Sequence, residues 1–353
     1  MRVLVTGHEG YIGVRLVALL RLAGHDVAGL DSGLFAGADL GPPPDPLPAL
    51  RLDVRDVTVE MLEGFDAVLH LAGISNDPLG DLDPECTFEI NHRASVRLAR
   101  VAREAGVSRF LFASSCSLYG ASGGDDLLDE SAPFRPVTPY GVSKMRVEED
   151  VSRLARPGFS PVYLRCATVH GSSTRLRADL VVNNLVGHAL LSGEVLLKSD
   201  GTPWRPLVHV DDVCRAYLAL LDAPGGLVHN QAFNVGRTAE NYRVSEVAEM
   251  VRDAVPGSVL RYEEGAGPDP RCYRVDCSKL EAMEGYQPTE TVASGIEELL
   301  RDYRRFGLTR ERFLGNEFLR IRTVRLLQSR GRLDSALRWQ PLPTRLLREA
   351  RRA

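Results

Sequence analysis

The run Thr6-Gly7-His8-Glu9-Gly10-Tyr11-Ile12-Gly13, set between an apolar triplet and an amphipathic segment, constrains this chain more than any other feature. Val3-Leu4-Val5 precedes it, and Val14 to Leu22 follows with apolar residues at helical spacing. The order is strand, tight turn, helix. Gly7 lets the chain turn, Gly10 removes a side chain where a pyrophosphate must approach, and Gly13 lets helix and strand pack closely. The free amides and positive dipole end of the helix then face the phosphates. Gly7, Gly10, Tyr11, Ile12 and Gly13 are therefore candidate dinucleotide contacts. Ordinary turns also contain such glycine triplets, so the assignment needs a second element.

That element is Tyr140-Gly141-Val142-Ser143-Lys144. Tyr140 and Lys144 are four apart and share one face of a helix. An ammonium beside a phenol favours the phenolate and lowers its pKa, which makes a proton donor and acceptor suited to a carbinol or carbonyl. An isolated pair of this kind reads more readily as a surface Tyr with a solvated Lys. Here a buried strand, Arg109-Phe110-Leu111-Phe112-Ala113-Ser114-Ser115, ends in hydroxyls and runs into Cys116-Ser117. Ligands in an open α/β sheet bind at the carboxyl ends of strands, which places Ser115 to hydrogen-bond the same oxygen as Tyr140.

Short apolar runs at 2–6, 27–31, 49–53, 66–71, 108–113 and 161–165 alternate with helical patterns at 14–23, 95–105 and 142–154. The alternation predicts an α/β fold with a doubly wound parallel sheet. Pro-rich 41–48 and Gly123-Gly124-Asp125-Asp126 read as loops. After about residue 166 the pattern loosens, and later strands near 207–210 and 232–235 are expected to return to the sheet or its edge. The expected division is 1–165 for the cofactor, 166–300 mainly for the substrate, and 301–353 as a basic helical extension. Asp31 ends the second strand, 18 residues beyond Gly13. A carboxylate there accepts from both adenosine ribose hydroxyls and repels a 2′-phosphate, and no Arg follows nearby, so NAD is expected over NADP.

A net charge of −4 gives no reason to expect nucleic acid or a membrane as partner. Met1-Arg2 opens directly into the first strand and no apolar run approaches about 20 residues, so a cytoplasmic protein is expected. Cys86, Cys116, Cys166, Cys214, Cys272 and Cys277 lack paired metal-ligand spacing, and no metal is expected. From Arg301 onward, fifteen arginines stand against five acids, leaving the rest of the chain strongly acidic. Such a tail reads either as a nucleic-acid arm or as helical packing or dimer surface. Phe313, Phe318, Ile321, Val324, Leu326 and Leu327 interrupt the charge at roughly helical spacing, which favours packing.

The glycine motif at 6–13, Asp31, Asp53, His70-Leu71-Ala72-Gly73, Asn91, Ser114-Ser115…Tyr119-Gly120 and Tyr140…Lys144 occur in a familiar order. So do Leu164-Arg165…Gly171, Arg205…Val208-His209-Val210-Asp211-Asp212-Val213 and Phe233-Asn234-Val235-Gly236. Over residues 1 to about 300 the chain resembles the extended short-chain dehydrogenase/reductases, in particular their nucleotide-sugar epimerases and dehydratases. The resemblance implies a Rossmann-type sheet with a smaller, mixed C-terminal substrate-binding domain, NAD as cofactor and a nucleotide-sugar substrate. It also implies a homodimer built on the helices at 91–105 and after Tyr140. By the same resemblance Asp53 faces the adenine, though it also reads as a plain turn aspartate, and Val54, Leu71, Ala72, Gly73 and Asn91 join the cofactor site. Arg205 matches a phosphate-binding arginine and Arg271 is a second candidate; two guanidiniums suit a diphosphate, though either also suits a surface salt bridge. Asn183 and Arg175-Leu176-Arg177 are expected to line the substrate domain.

Tyr140, Lys144 and Ser115 suffice for reversible hydride transfer between a carbinol carbon and bound NAD. Reduction of the keto-sugar on its other face makes the outcome an epimerisation. Dehydratases of the family place Asp-Glu just after the position of Ser115, where this chain has Cys116 and Ser117. Members that epimerise at C3 and C5 or reduce keto-sugars place a catalytic Cys at the position of Ser117. Cys116 is thus an acid/base thiol if its pKa is lowered, or a buried filler. His170 is a general acid or a structural histidine. Thr168 replaces an Asn that contacts the substrate diphosphate in the family, which leaves the sugar nucleotide open. The expected activity is an NAD-dependent epimerase of a nucleotide-activated sugar at C4. The alternatives are a 4-ketoreductase or dehydrogenase, or a non-catalytic NAD-binding regulatory protein.

Overall fold

In the computed structural model, which describes residues 1–75, 83–123, 126–197, 199–263, 267, 269 and 271–341, the strands of the main sheet coincide with the short apolar runs. Gly124 and Asp125 of the expected loop, and 342–353 of the basic tail, lie outside the described residues. The strands in chain order are β1 (Arg2–Thr6), β2 (Asp26–Asp31), β3 (Ala49–Arg51), β4 (Ala67–His70), β5 (Arg109–Ser115), β6 (Leu127–Leu128) and β7 (Ser160–Cys166). They continue with β8 (Thr168–His170), β9 (Glu194–Leu197), β10 (Trp204–His209), β11 (Gln231–Val235), β12 (Asn241–Arg243), β13 (Val259–Tyr262) and β14 (Arg274–Val275). Seven of them form one parallel sheet in the order β3-β2-β1-β4-β5-β7-β11.

The longer helices are α1 (Gly13–Leu22), α2 (Ala94–Glu104), α3 (Pro139–Ser152), α4 (Val181–Ser192), α5 (Val210–Asp222), α6 (Val244–Ala254), α7 (Val292–Arg305), α8 (Arg310–Leu314) and α9 (Arg320–Ser329). Both faces of the sheet are covered at its centre, so β1 and β4 are largely apolar rather than alternating, whereas the edge strand β3 is exposed. On one face Leu16 and Leu20 of α1 and Val213 and Tyr217 of α5 pack on Val3, Val5, Leu69 and Leu111. On the other, Leu98 and Ala102 of α2 and Val147 and Val151 of α3 pack on Leu4, Val68, Phe110 and Phe112. Neighbours along a strand thus serve opposite layers, as the two-residue period requires. Beneath the glycine turn, buried His70 accepts or donates at 2.7 Å to both Thr6 Oγ1 and Ser95 Oγ, tying β1, β4 and α2 together. Burial lowers its pKa to about 3, so this tie is a neutral imidazole.

The two late strands part company. β11 pairs with β7 along its length, from Gln231 opposite Val162 to Val235 opposite Cys166, and closes the edge of the main sheet. β10 does not join that sheet, because β11 already occupies the free edge. Instead it pairs with β8 in parallel and β12 in antiparallel, in a separate three-stranded sheet. A second core lies on that side, where Leu185 and Val186 of α4, Val247 and Val251 of α6, and Ile296, Leu299 and Tyr303 of α7 meet. Among the described residues no helix is long and apolar enough to cross a membrane.

The described part of the basic tail is packed structure. Phe313 and Phe318 belong to the second core, and Val324 packs with Ile74 and Cys86. Phe313 of α8 stacks edge-on against His188, ring centres 5.5 Å apart, and seats on Gly187, where a Cβ would come within 2.1 Å of its ring. Phe313→Ala should therefore lower unfolding stability by about 3–5 kcal/mol, measured by urea denaturation. A tail that merely hung from the domain would leave the midpoint unchanged.

Candidate active site

Where β1 ends, Gly7 turns the chain with φ +74, and a Cβ there would lie 2.7 Å from Ala72 N. At Gly13 a Cβ would lie 2.2 Å from the carbonyl oxygen of Gly7, so only glycine lets α1 start this close to the strand. Among the described residues no side chain caps α1, and in its first turn Val14 N donates to Gly10 O at 3.1 Å, so the helix start is held by the glycine turn itself. A cavity of about 900 Å³ runs from this turn across the carboxyl ends of the strands. Gly7, Gly10, Tyr11, Ile12, Gly13, Asp31, Asp53, Val54, Leu71, Ala72 and Gly73 line one end. Ser115, Ser117, Tyr140, Lys144, Thr168, Arg205 and Arg271 line the remainder. The glycine cradle, the helix start without a side-chain cap and the volume fit a dinucleotide.

Asp31 is held by the backbone N–H of Gly33 at 2.8 Å and of Glu9 at 3.1 Å, while burial pushes its carboxyl above the usual range. Asp53 accepts three bonds from Arg55, from its backbone N–H and Nε at 2.9 Å and from Nη2 at 2.6 Å. Burial opposes its ionisation, yet the Arg55 hydrogen bonds and the charges of Arg55 and Arg338 hold its carboxyl below the usual range. Asn91 does not reach the cavity wall. Its Oδ1 accepts from Ile74 N at 2.7 Å and its Nδ2 donates to Ile74 O at 2.8 Å, so it fixes the loop after β4 rather than touching a ligand directly.

At the other end, Thr138 caps α3 by accepting from Gly141 N at 3.1 Å, and Pro139 pre-sets the first turn. Tyr140 falls in that turn and Lys144 in the next. Lys144 is 6 % exposed, with Nζ donating to Ala113 O at 2.7 Å and lying 5.5 Å from the Tyr140 ring centre. Burial lowers its pKa to about 8 against the opposing influence of Cys166 and Glu148. Ser115 Oγ donates to Ser117 Oγ and accepts from Ser117 N, both at 3.1 Å. Burial pushes the Cys166 thiol, also in the wall, up to about 12, which keeps it protonated. Behind the wall, Arg165 pairs with Glu148 at 2.7 Å and donates to Tyr119 Oη at 3.0 Å, while Ser114 Oγ also donates to Glu148. This buried network braces β5, β7 and α3 around the tyrosine.

Three further expected residues stand elsewhere. Cys116 is fully buried, its Sγ donating to Arg165 O at 3.0 Å, and burial raises its thiol well above the usual range. In the turn Cys116–Leu118 it is Ser117 that faces the cavity, so the acid/base thiol is ruled out by side-chain direction. His170 is 1 % exposed, packed against the His209 ring at 5.4 Å, with its pKa lowered to about 3 by burial and the neighbouring His209. It is a neutral structural histidine away from the cavity. Asn183 is fully buried, accepting from Gly171 N and donating to Arg177 O, both at 3.1 Å; its neighbour Asn184 lines the cavity instead.

Arg205 and Arg271 do converge, around Asp269. Arg205 pairs with it at 2.8 Å, Arg271 Nε donates to it at 2.9 Å, and Arg205 also donates to Arg271 O. Burial works against the ionised form, but these arginines hold the Asp269 carboxyl down at about 2. Arg177 reaches the wall too, joined to Asp179 at 3.0 and 2.7 Å, whereas Arg175 pairs with Asp39 and Leu176 is core. Sequence reasoning missed Asp179, Asp269, Tyr273, Leu319, Arg320 and Leu337, all in the wall. Only Asp269, two residues before Arg271, carried a local signal.

A family model described as "NAD dependent epimerase/dehydratase family" matches residues 3–236. A UDP-glucose 4-epimerase of Mycolicibacterium smegmatis is 29% identical over 318 residues, covering 86% of this chain and 99% of its own. The solved UDP-glucose 4-epimerase of Thermus thermophilus, in complex with NAD, is 28% identical with a TM-score of 0.73 over 86% of this chain and 99% of that one. A dTDP-glucose 4,6-dehydratase of Streptomyces venezuelae with NAD bound is 27% identical with a TM-score of 0.75, over 88% of this chain and 100% of that one.

Charging the buried Lys144 costs stability. Its folded pKa, about 8, lies below the unfolded value of 10.5, so the fold's full stability is present above 10.5 and is lost as pH falls from there through 8. The penalty near neutral pH is roughly 3 kcal/mol at most. Lys144→Met should match or exceed the parent's melting temperature at pH 7, and that relative advantage should shrink as pH rises from 8 to 10.5. A variant less stable at pH 7, with no pH-dependent difference, would contradict this.

Proposed function

The chain belongs to the NAD dependent epimerase/dehydratase family, and we propose that within it the protein is an epimerase of a nucleotide-activated sugar, acting at C4. Its cofactor is NAD and its substrates are of the nucleotide-sugar class. One observation carries the choice of reaction. Beside Tyr140 and Lys144 the wall offers the hydroxyls of Ser115 and Ser117 and, among the described residues, no free carboxylate. Asp31 and Asp53 lie at the glycine-turn end, Asp179 is bonded to Arg177, and Asp269 to Arg205 and Arg271. Eliminating water across adjacent carbons needs a base for a C–H proton, and a serine hydroxyl is far too weak for that.

Bound NAD supplies the hydride acceptor and donor. Gly7, Gly10 and Gly13 leave room for its diphosphate, and Asp31 takes the ribose hydroxyls. Tyr140 accepts the proton of the C4 hydroxyl as the carbinol carbon is oxidised, and returns it when the keto-sugar is reduced. Lys144, protonated below about pH 8, stabilises the Tyr140 phenolate that takes this proton and is restored when the proton is returned. Ser115 donates to the same oxygen and fixes it in line with Tyr140. Arg205 and Arg271 hold the substrate diphosphate, exchanging Asp269 for it, while the sugar turns over in the cavity. The Mycolicibacterium and Thermus relatives are UDP-glucose 4-epimerases, which makes UDP-hexoses the first substrates to offer. A homodimer through α2 and α3 is part of this reading.

Purified protein should retain NAD and interconvert a C4-epimeric pair of UDP-hexoses at constant mass, followed by mass spectrometry and chromatography. Tyr140→Phe should lower kcat by about 10²- to 10⁴-fold while NAD stays bound. Product two hydrogens lighter or heavier, with stoichiometric change in NAD(H), would replace the epimerase with a dehydrogenase or ketoreductase; product lighter by one water would make it a dehydratase.

A further inference from the structure

The C-terminal extension reaches the cofactor end of the cavity. Arg55 Nη1 donates to Ala336 O at 2.8 Å and Trp339 Nε1 to Ser32 O at 2.7 Å, while Arg338 pairs with Asp56 and lies 3.8 Å from Asp53. Leu319, Arg320 and Leu337 line the same cavity as the glycine turn. Arg320 opens α9 and is only 3 % exposed, with its guanidinium carbon 3.9 Å from the centre of the Phe35 ring. Among the described residues, its buried Nη1 has no hydrogen-bond partner. Two carboxylates of that region are already engaged: Asp179 by Arg177 at 2.7 Å and Asp39 by Arg175.

A buried guanidinium without a carboxylate is costly, and a cation–π contact offsets only part of that cost. Burial and the like charges of Arg177 and Arg175 lower its pKa to about 9, yet it remains a cation at neutral pH. A cation so placed is a receptor for an anion. The segment it packs against adds no cation of its own, since residues 32–48 contain no Lys, Arg or His. The wall's other arginine cluster, Arg205 with Arg271, is bound to Asp269 and lies with Ser117 and Tyr273, whereas Arg320 lies on Phe35 and feels the charge of Asp31.

We propose that Arg320 is a cofactor-binding residue whose guanidinium donates to the diphosphate of NAD, so that the C-terminal extension completes the dinucleotide site. The family model ends at residue 236, well short of it. The proposal rests on NAD binding and is independent of which sugar is turned over or how.

Arg320→Met and Arg320→Lys in the full chain, stripped of nucleotide, provide the test. Calorimetry would give Kd for NAD⁺ and separately for UDP, and melting would be followed with and without NAD⁺. Arg320→Met should bind NAD⁺ about 10- to 100-fold more weakly, with UDP affinity within about twofold of the parent. The nucleotide-free variant should melt no lower than the parent, because a buried unpaired cation has been removed, while the rise in melting temperature on adding NAD⁺ shrinks. Arg320→Lys, which keeps the charge but not the fork, should fall between the two. If Arg320→Met does not fold, Arg320→Lys carries the test with an expected loss of several-fold for NAD⁺. Unchanged NAD⁺ affinity would overturn the proposal, and so would a loss confined to UDP, which would assign Arg320 to the substrate's diphosphate.

Discussion

Between β1 and β4 the chain leaves the sheet in opposite directions, toward β2 on one side and β5 on the other, so no crossover covers the carboxyl ends of the strands there. The crevice exists because of that reversal, and the chemistry of the wall follows from what can be brought to its rim. The glycine turn brings helix amides, since Gly13 lets α1 start against the carbonyl of Gly7. β5 brings Ser115, and α3 brings Tyr140 and Lys144 alongside it. His70, neutral and bonded to Thr6 and Ser95, holds β1 to β4 directly beneath the opening.

The buried cations sort by what faces them. Arg165 with Glu148, Arg175 with Asp39 and Arg177 with Asp179 are paired, and their work is to fix loops and strands. Lys144 faces a carbonyl, and Arg320 faces an aromatic ring. Leaving a charge in a cavity without its counterion costs stability that the well-packed layers on both faces of the sheet must cover. On the reading proposed above, that cost is understandable from the partner each cation serves: the Tyr140 phenolate for the lysine, a phosphate brought by the cofactor for the arginine. Arg205 and Arg271 represent an intermediate case, since the two share the single carboxylate of Asp269 and keep a net positive charge between them for the diphosphate proposed above.

The strands and helices that build the crevice were legible because their signals are local. The apolar runs sit within a residue or two of β1, β2, β4, β5 and β7, and the four-residue spacing of Tyr140 and Lys144 needs only a helix to become a shared face. The placement of β10 was not legible, because a strand's partner depends on which edge is still free, and β11 had taken it. Nor was the choice between Cys116 and Ser117. Adjacent residues in a tight turn point in different directions, and only packing against Tyr273 and Cys277 shows which one turns inward.

By itself, then, the sequence determined a dinucleotide-binding parallel sheet, the tyrosine and lysine on one helix face, and an acid at the end of the second strand. Those features depend on backbone period and on residues close together in the chain. Only the tertiary structure decided that His170 and Asn183 are buried supports, that Asp269 holds two arginines, and that a basic tail lays Arg320 into the wall of the cofactor cavity. Those outcomes depend on contacts between residues far apart in the chain, where no periodicity links one partner to the other and long-range packing alone sets which side chain meets which.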